Sequence, residues 1–392
     1  MDMRLPDAHW RRREGLAELA AVLEAERGEA RYVGGAVRDA LLGLDVSDVD
    51  IATRLTPDQV LDRLRAAGVR VVPTGLVHGT VTAILSSGPV EVTTLRRDVT
   101  TDGRRATVAF STDWEEDAVR RDFTMNALYA DPLDGALYDY HGGLSDLAAG
   151  RVRFIGDPLQ RIAEDHLRIL RFFRFHARFG DEVDAQGLAA CAERANDLMA
   201  LSRERIAAEL LKLLVARNAV PVVRRMVEHG ILRAVLPEIT FVGVGRLERL
   251  AEREAAAGLA PDAIRRLASL VPDEAAEDVG SRLKLSNAGR RRLAAATLGP
   301  GEEGPRGLAY RVGLESATDR LLLSGEPLDG IRGWAPPAFP LSGGALVERG
   351  LAKGPDVART LRKLEAGWVA AGFPPAIPDE VIDQAVADAI SA

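Results

Sequence analysis

Cysteine, lysine and long apolar runs are all scarce in this chain of 392 residues. Its single cysteine, Cys191, excludes a disulfide within the chain and a zinc site built from several cysteines. No run of about 18 apolar residues occurs, so we expect no membrane span. The first residues, MDMRLPDAHWRRREG, lack the apolar stretch of a signal peptide. These absences favour a cytoplasmic protein without a membrane partner.

The charge balance is acidic, with 51 basic and 58 acidic residues and a net charge of −7. A protein that coats DNA is basic overall, so we expect no DNA partner. An enzyme that releases its nucleic acid after each cycle needs only a local basic patch. Only 4 of the basic residues are lysine, and we interpret this arginine bias as genome composition rather than as a sign of RNA binding.

Two kinds of secondary-structure pattern divide the chain. Up to about Asp139, short β-rich runs such as DVDIAT and VEVTTL alternate with helical runs such as AVRDALLG. From about Pro158 onwards, the segments have a helical period and few strand signals. We therefore predict an α+β fold: a mixed-sheet head at residues 1–152, a helical neck at 153–215 and a helical body and tail at 216–392.

A pair of glycines marks the first candidate motif, YVGGAVRDALLG. Gly34 and Gly35 follow a short strand and precede a helix that carries Arg38 and Asp39. Glycines at such a turn let the backbone approach a phosphate, and a helix N-terminus favours an anion. The motif matches neither the dinucleotide-binding GxGxxG nor the GxxxxGK[ST] loop of P-loop ATPases. A plain strand-to-helix turn is the structural alternative.

Three carboxylates form the second candidate. Asp48 and Asp50 are two residues apart, which on a strand places both side chains on one face. Neighbouring carboxylates repel each other unless a cation lies between them, and Mg²⁺ prefers such ligands together with phosphate oxygens. Glu91, inside the apolar run PVEVTTL, is a candidate third carboxylate. Two acidic residues in a solvated loop are the alternative.

The third motif is RRDFTMNA at residues 120–127. Arg120 and Arg121 can hold phosphate oxygens, whereas Asp122 and Asn126 can bond ribose hydroxyls. A helix start with a surface Arg–Asp pair would have the same sequence.

The fourth motif, EDHLR at residues 164–168, lies in a strongly helical stretch. On one continuous helix, Arg161, Asp165 and Arg168 would share a face. A carboxylate that accepts beside a guanidinium that donates matches cytosine and adenine, whereas guanine and uracil present a carbonyl and an N–H instead. Each mismatch costs about 1–3 kcal/mol, so this pair would select C and A without a nucleic-acid template. An intrahelical surface ion-pair network is the alternative.

In this order and at this spacing, the four motifs resemble those of the class II tRNA nucleotidyltransferases, a family that includes CCA-adding enzymes and bacterial poly(A) polymerases. The resemblance covers about residues 31–215, with SRERIAAELLKLL as the fifth motif. It implies a polymerase-β-like head followed by helical neck, body and tail domains. It also implies template-independent addition of CCA, from CTP and ATP, to the 3′ end of tRNA.

The resemblance assigns roles to individual residues of this chain. Asp48 and Asp50 bind two Mg²⁺ ions, and Glu91 is the third catalytic carboxylate. The implied nucleotide-binding set is Gly34, Gly35, Arg38, Asp39, Arg120, Arg121, Asp122, Asn126, Arg161, Asp165 and Arg168. The body and tail would hold the acceptor arm of tRNA. Our candidate contact is SRLKLSNAGRRRL with Arg290, Arg291 and Arg292, for which a solvated basic helix is the alternative.

Two sequence features indicate which type of enzyme within the family this chain resembles. Poly(A) polymerases of the family carry a G-[RK]-[RK]-F-like element after the DxD, where this chain has PTGLVHGTVTAI. Enzymes that add only CC lack a flexible loop before RRDFT, and residues 96–119 supply one here. A-only addition, poly(A) synthesis and an inactive RNA-binding homologue remain as alternatives to full CCA addition.

Overall fold

The computed structural model describes residues 4–101 and 106–391. They fall into two compact units divided between Pro237 and Glu238. The predicted boundaries at 152 and 215 stay predictions.

A mixed sheet forms the centre of the first unit. Seven strands are hydrogen-bonded in the order β3-β4-β5-β2-β1-β8-β9, and β6 and β7 form a separate hairpin. Within the larger sheet, β2 and β5 run parallel, and the other neighbours are antiparallel. The strands are β1 Ala30–Val33, β2 Asp50–Thr53, β3 Arg70–Gly75, β4 Thr80–Leu85, β5 Gly88–Thr94, β6 Arg96–Thr101, β7 Ala106–Phe110, β8 Leu128–Ala130 and β9 Leu137–Asp139.

Helices of the first unit lie between the strands and then continue alone. They are α1 Leu16–Val22, α2 Gly35–Leu41, α3 Pro57–Ala66, α4 Trp114–Val119, α5 Gly143–Ala148, α6 Pro158–Glu164, α7 Arg168–Phe179, α8 Ala185–Glu193, α9 Arg203–Leu214 and α10 Ala219–Glu228. Local sequence explains their starts: Thr56 and Gln59 form a capping box at α3, with Pro57 in its first turn. The change from mixed to helical structure confirms the predicted fold class.

Aromatic side chains join the sheet to the helices that follow it. Phe123, from the RRDFTMNA segment, has its ring centroid 5.0 Å from that of Phe154 and 5.3 Å from that of Phe175 on α7. Phe154 stacks on Phe172, which lies one helical turn before Phe175 on α7, and their ring centroids are 5.5 Å apart. Phe123, Phe154 and Phe172 are almost completely buried. Their packing fixes α7 against the third motif, as offset and edge contacts between aromatic rings do in protein cores.

The hairpin β6–β7 occupies the position of the predicted flexible loop. Arg96 pairs with Phe110 and Thr101 with Ala106, and α4 follows directly. The tip of this loop, 102–105, lies outside the described residues. The insertion is therefore present as a paired hairpin rather than as an irregular loop.

The second unit is helical throughout its described elements. They are α11 Phe241–Ala256, α12 Ala263–Leu270, α13 Ala276–Arg282, α14 Asn287–Ala296, α15 Gly304–Val312, α16 Leu314–Ser324, α17 Gly343–Glu348, α18 Pro355–Ala370 and α19 Asp379–Ser391. Across residues 4–101 and 106–391, no helix combines the length and the apolar character needed to cross a lipid bilayer.

Buried ion pairs connect α11, α12 and α16. The Glu254 carboxylate accepts from Arg265 and Arg266 at 2.8 Å each. Asp319, whose side chain is fully buried, accepts from Arg265 at 3.3 Å and from Arg292 at 2.7 Å. Removing one member of such a group leaves buried opposite charges without a partner, which costs more than an exposed ion pair contributes.

We expect Glu254→Gln to lower the free energy of unfolding by about 3 kcal/mol, because Arg265 and Arg266 would lose their shared buried carboxylate. Urea denaturation measures the change. Glu252→Gln, an exposed position on the same helix, is the matched control and should change stability by about 0.5 kcal/mol or less. Equal stability of the two variants would contradict the structural role of the pair.

Candidate active site

A polar cavity of about 700 Å³ lies in the first unit. Its walls come from α2, the segment before β2, the third motif and α7. The structure brings most of the predicted site residues to it: Gly34, Gly35, Arg38, Asp39, Asp48, Asp50, Arg120, Arg121, Asp122, Asn126, Asp165 and Arg168. Glu91 and Arg161 are not among the residues that line the cavity, and Arg290, Arg291 and Arg292 belong to the second unit.

The turn between β1 and α2 requires glycine at its first position. Gly34 has a φ of +67°, a conformation that side chains with a Cβ rarely adopt. A Cβ there would also meet the Arg121 guanidinium at 3.4 Å. The backbone at Gly34 thus comes close to Arg121, and both glycines of the turn line the cavity.

Asp50 and Glu91 lie side by side on two neighbouring inner strands of the sheet. Asp50 opens β2 and is in register with Glu91 on the parallel strand β5, so the two side chains share a face. Asp48 precedes the strand, because β2 begins at Asp50. The prediction that a strand aligns Asp48 with Asp50 was therefore wrong, although both residues line the cavity.

The Asp50 carboxylate is disfavoured as an anion in this cavity. Burial, followed by the neighbouring charge of Glu91, raises the pKa of Asp50 to about 6. An anion disfavoured in this way gains stability when a cation binds beside it. Among residues 4–101 and 106–391, no group of three acidic, histidine or cysteine side chains is placed to hold a metal ion.

Asp117 on α4 orients the two arginines of the third motif. Its buried carboxylate accepts from Arg121 at 2.9 Å and from the Tyr129 hydroxyl at 2.8 Å, and lies 3.7 Å from Arg120. Burial alone would raise the pKa of Asp117, but Arg121 and Arg120 hold it below the usual range. The sequence signal was an acid three and four residues before the arginines on a helical segment, and our sequence analysis missed it.

Asp122 is at the centre of a second set of polar contacts. It accepts from Arg171 at 2.8 Å and 2.5 Å and from the amide of Asn126 at 2.9 Å. Asn126 in turn accepts from Arg38. Burial alone would raise the pKa of Asp122, but Arg171 and Asn126 keep it low. The carboxylate is thus held as an ionised acceptor at the cavity wall.

The fourth motif is not one continuous helix, so the predicted shared face of Arg161, Asp165 and Arg168 was wrong. Helix α6 ends at Glu164, Asp165 is extended with φ −150° and ψ 105°, and α7 begins at Arg168. The Asp165 carboxylate accepts from the Leu167 N–H at 3.1 Å, and its carbonyl accepts from the Arg168 N–H at 3.0 Å. Local bonding of an aspartate to its own backbone competes with helix in this way.

Arg161 and Arg168 both bond backbone carbonyls of the third motif. Arg161 donates to the carbonyls of Arg120 and Arg121, and Arg168 donates to that of Arg120 at 3.3 Å. Arg168 also bonds Glu164 at 2.6 Å. Arg161 therefore supports the segment that carries the two arginines and does not face the cavity itself.

Three further arginines of α7 line the cavity: Arg171, Arg174 and Arg178. Their spacing from Arg168, at three, six and ten residues, is a helical stripe that the sequence displays in RILRFFRFHAR. Arg174 bonds the buried Glu209 of α9, and Arg178 lies 3.4 Å from Asp39. Sequence analysis could have found this stripe by its period.

The predicted RNA-contact arginines have different environments. Arg290 pairs with Glu277 at 2.5 Å, and Arg292 contacts Asp262, Glu315 and Asp319. Arg291 is exposed. Arg292 thus serves the buried ion-pair group, and the helix is not simply a solvated basic surface.

Comparison with family models defines the class of protein. A model of the poly(A) polymerase head domain matches residues 30–153, which contain β1, the carboxylates and the third motif. A second model, described as a probable RNA- and SrmB-binding site of polymerase A, matches residues 182–242. Residues 30–153 thus match the head domain of poly(A) polymerases.

Curated relatives narrow the class to one family. The mitochondrial CCA tRNA nucleotidyltransferase 1 of Mus musculus is 37% identical over 384 residues, which cover 92% of this chain and 87% of the relative. A CCA-adding enzyme of Staphylococcus epidermidis is 38% identical over 48% of this chain and 47% of its own length. The chain therefore belongs to the family of CCA tRNA nucleotidyltransferases.

Solved structures share the fold. The CCA-adding enzyme of Bacillus stearothermophilus in complex with CTP has a TM-score of 0.67 and 26% identity, covering 91% of this chain and 93% of that one. The Thermotoga maritima CCA-adding enzyme complexed with tRNA has a TM-score of 0.70 at 20% identity, covering 95% of each chain. The second likeness is one of fold alone.

We expect Asp117→Asn to lower the free energy of unfolding by about 2–3 kcal/mol, because Arg121 and Tyr129 would lose a buried charged acceptor. Thermal unfolding followed by circular dichroism measures the loss. Glu115→Gln, exposed on the same short helix, is the control and should stay within about 0.5 kcal/mol of the wild type. A melting temperature unchanged by Asp117→Asn would exclude the anchoring role.

Proposed function

We propose that this protein adds C, C and A, from CTP and ATP, to the 3′ end of tRNA without a template and releases pyrophosphate. The observation that carries the proposal is the cavity itself, which joins Asp48 and Asp50 to Asp165 and Arg168. One pair of residues suits phosphoryl chemistry, and the other suits reading of a nucleobase. The family membership of the chain supports the same activity.

In the proposed reaction, the 3′-hydroxyl oxygen of the tRNA attacks the α-phosphorus of the nucleotide. A new P–O bond forms, the hydroxyl proton passes to water, and the bond between the α-phosphorus and the bridging oxygen breaks, so that pyrophosphate leaves with its electron pair. Mg²⁺ held by Asp48 and Asp50, with Glu91 beside them, would lower the pKa of the hydroxyl and offset the charge on the leaving group. The protein contributes mainly placement and fixed charges.

Arginines held in advance would receive the triphosphate. Asp117 holds the guanidinium of Arg121, and Arg120 lies beside it at the cavity. Donors fixed before the substrate arrives require little reorganisation during the reaction, so they stabilise developing charge well. Asp122 and Asn126, which bond each other and line the cavity, would bond the ribose hydroxyls.

The base would be read by Asp165 and Arg168. Arg168 bonds the Arg161 carbonyl, Glu164 and the Arg120 carbonyl. A guanidinium has five N–H donors, so these bonds leave donor capacity for a nucleobase. An ionised aspartate accepts only, which matches the amino groups of cytosine and adenine. The helical second unit, including Arg291, would contact the tRNA.

The first experiment gives purified protein and Mg²⁺ to tRNA transcripts that end before CCA, after C and after CC. Each receives CTP, ATP or both, and the products are resolved to one nucleotide. Three additions that stop after A would establish CCA addition. Addition of A to the CC-ended tRNA alone would show an A-adding enzyme, a long A tail would show a poly(A) polymerase, and no addition would leave an RNA-binding protein.

We expect Asp48→Ala to reduce nucleotide incorporation at least about 100-fold, because a ligand for the activating cation would be lost. Single-turnover assays measure incorporation, and filter binding measures tRNA affinity, which should change little. Asp62→Ala, an exposed position on α3, is the control for loss of one acidic residue. Incorporation at the normal rate by Asp48→Ala would refute the role of the carboxylate.

We expect Arg168→Ala to reduce discrimination of CTP against UTP by at least about tenfold, because one mismatched hydrogen bond is worth about 1–3 kcal/mol. The measurement is kcat/KM for each nucleotide on one tRNA. Arg217→Ala, at an exposed arginine paired with the exposed Asp181, is the control. Selectivity that Arg168→Ala leaves intact would remove Arg168 from base reading.

A further inference from the structure

Asp165 has a partner that comes from another helix. Arg205, in the first turn of α9, directs one terminal guanidinium nitrogen at both carboxylate oxygens of Asp165, 3.2 Å and 3.1 Å away. Arg205 itself does not line the cavity. Its contact with the reading site therefore passes through Asp165.

The same face of α9 also contacts a second side chain that lines the cavity, Arg174. Glu209 follows Arg205 by four residues, so the two lie on one side of the helix. Glu209 is buried and accepts from Arg174 at 2.5 Å. Helix α9 thus contacts Asp165, at the break between α6 and α7, and Arg174 on α7.

Asp165 and Arg168 carry opposite charges at one cavity, yet their side chains do not pair in the described structure. Arg168 donates to Glu164 and to two carbonyls, whereas Asp165 accepts from Arg205 and from the Leu167 N–H. Each side chain is held by other groups. The two are therefore kept from neutralising each other, and both remain available to a third molecule.

We infer that Arg205 is a positioning residue that determines nucleobase selectivity by holding the Asp165 carboxylate apart from Arg168. The inference rests on the proposed function. The terminal torsion of an aspartate has a broad energy profile, so two anchors on one carboxylate are needed to define its direction. Arg168 and Arg171 line the same cavity as Asp165, and Arg171 is near enough to interact with its charge. Without Arg205, the carboxylate would turn towards them and offer fewer lone pairs to the base.

The contact uses a single nitrogen, so the positive charge matters more than the planar shape of the guanidinium. A lysine at the same position is a point charge with three donors. Arg205→Lys should therefore retain part of the function, whereas Arg205→Met, which is apolar and of similar length, should not.

The test compares Arg205→Met and Arg205→Lys with the wild type on tRNA ending in C, using CTP, ATP and UTP. We expect Arg205→Met to lower the ratio of kcat/KM for CTP to that for UTP about tenfold, as for one disturbed hydrogen bond. The loss should lie mainly in KM for CTP. Arg205→Lys should restore part of the ratio, and Lys212→Met, an exposed position on the same helix, should match the wild type.

An unchanged ratio in Arg205→Met would overturn the inference, as would an equal loss of kcat for all nucleotides. Thermal unfolding of each variant shows whether it is folded, and Arg205→Lys keeps the test valid if Arg205→Met is not. A wild type that does not prefer CTP to UTP would refute the proposed function itself. A selective wild type with an equally selective Arg205→Met would refute only the role of Arg205.

Discussion

The ion pair between Asp122 and Arg171 is the interaction on which the arrangement of the site depends. Asp122 belongs to the segment that leads into β8, and Arg171 belongs to α7, so the pair joins the sheet to the helix that follows Asp165. Phe123 packs beside it on Phe175. In the ion pair, two guanidinium nitrogens of Arg171 donate to the same Asp122 carboxylate oxygen, and the rings beside it exclude water, which strengthens the charged contact. A shift of α7 would break both contacts together.

The cavity has a small net charge, but its charged side chains are held in fixed orientations. Seven arginines and six aspartates line it, so its formal net charge is only +1. The arginines are nonetheless useful to an anionic substrate, because ion pairs with acids such as Asp117, Glu209 and Asp39 fix their directions. Fixed dipoles and charges stabilise a developing charge better than mobile ones of the same sign. An acidic protein can therefore bind a nucleoside triphosphate without a large positive field.

The features that the sequence predicted are those encoded locally. Short β-rich runs such as DVDIAT and VEVTTL located strands of the sheet, and the motif containing Gly34 located a turn whose positive φ requires glycine. The break at Asp165 was missed because the apolar period continues from α6 into α7, and only the side-chain bond to the Leu167 N–H ends the helix there. The contact with Arg205 joins residues forty positions apart. No local pattern reports such a contact, so it required the tertiary structure.

The break also bears on the proposal that two opposite charges, Asp165 and Arg168, read a base. On a continuous helix, Asp165 and Arg168 would be three residues apart, a spacing at which an acid and a base pair with each other. Such a pair would consume the acceptor and the donor that a nucleobase needs. In the structure, the extended backbone at Asp165 turns its carboxylate to Arg205, while Arg168 turns to Glu164 and the third motif. The irregular backbone thus keeps both hydrogen-bonding groups available within one cavity.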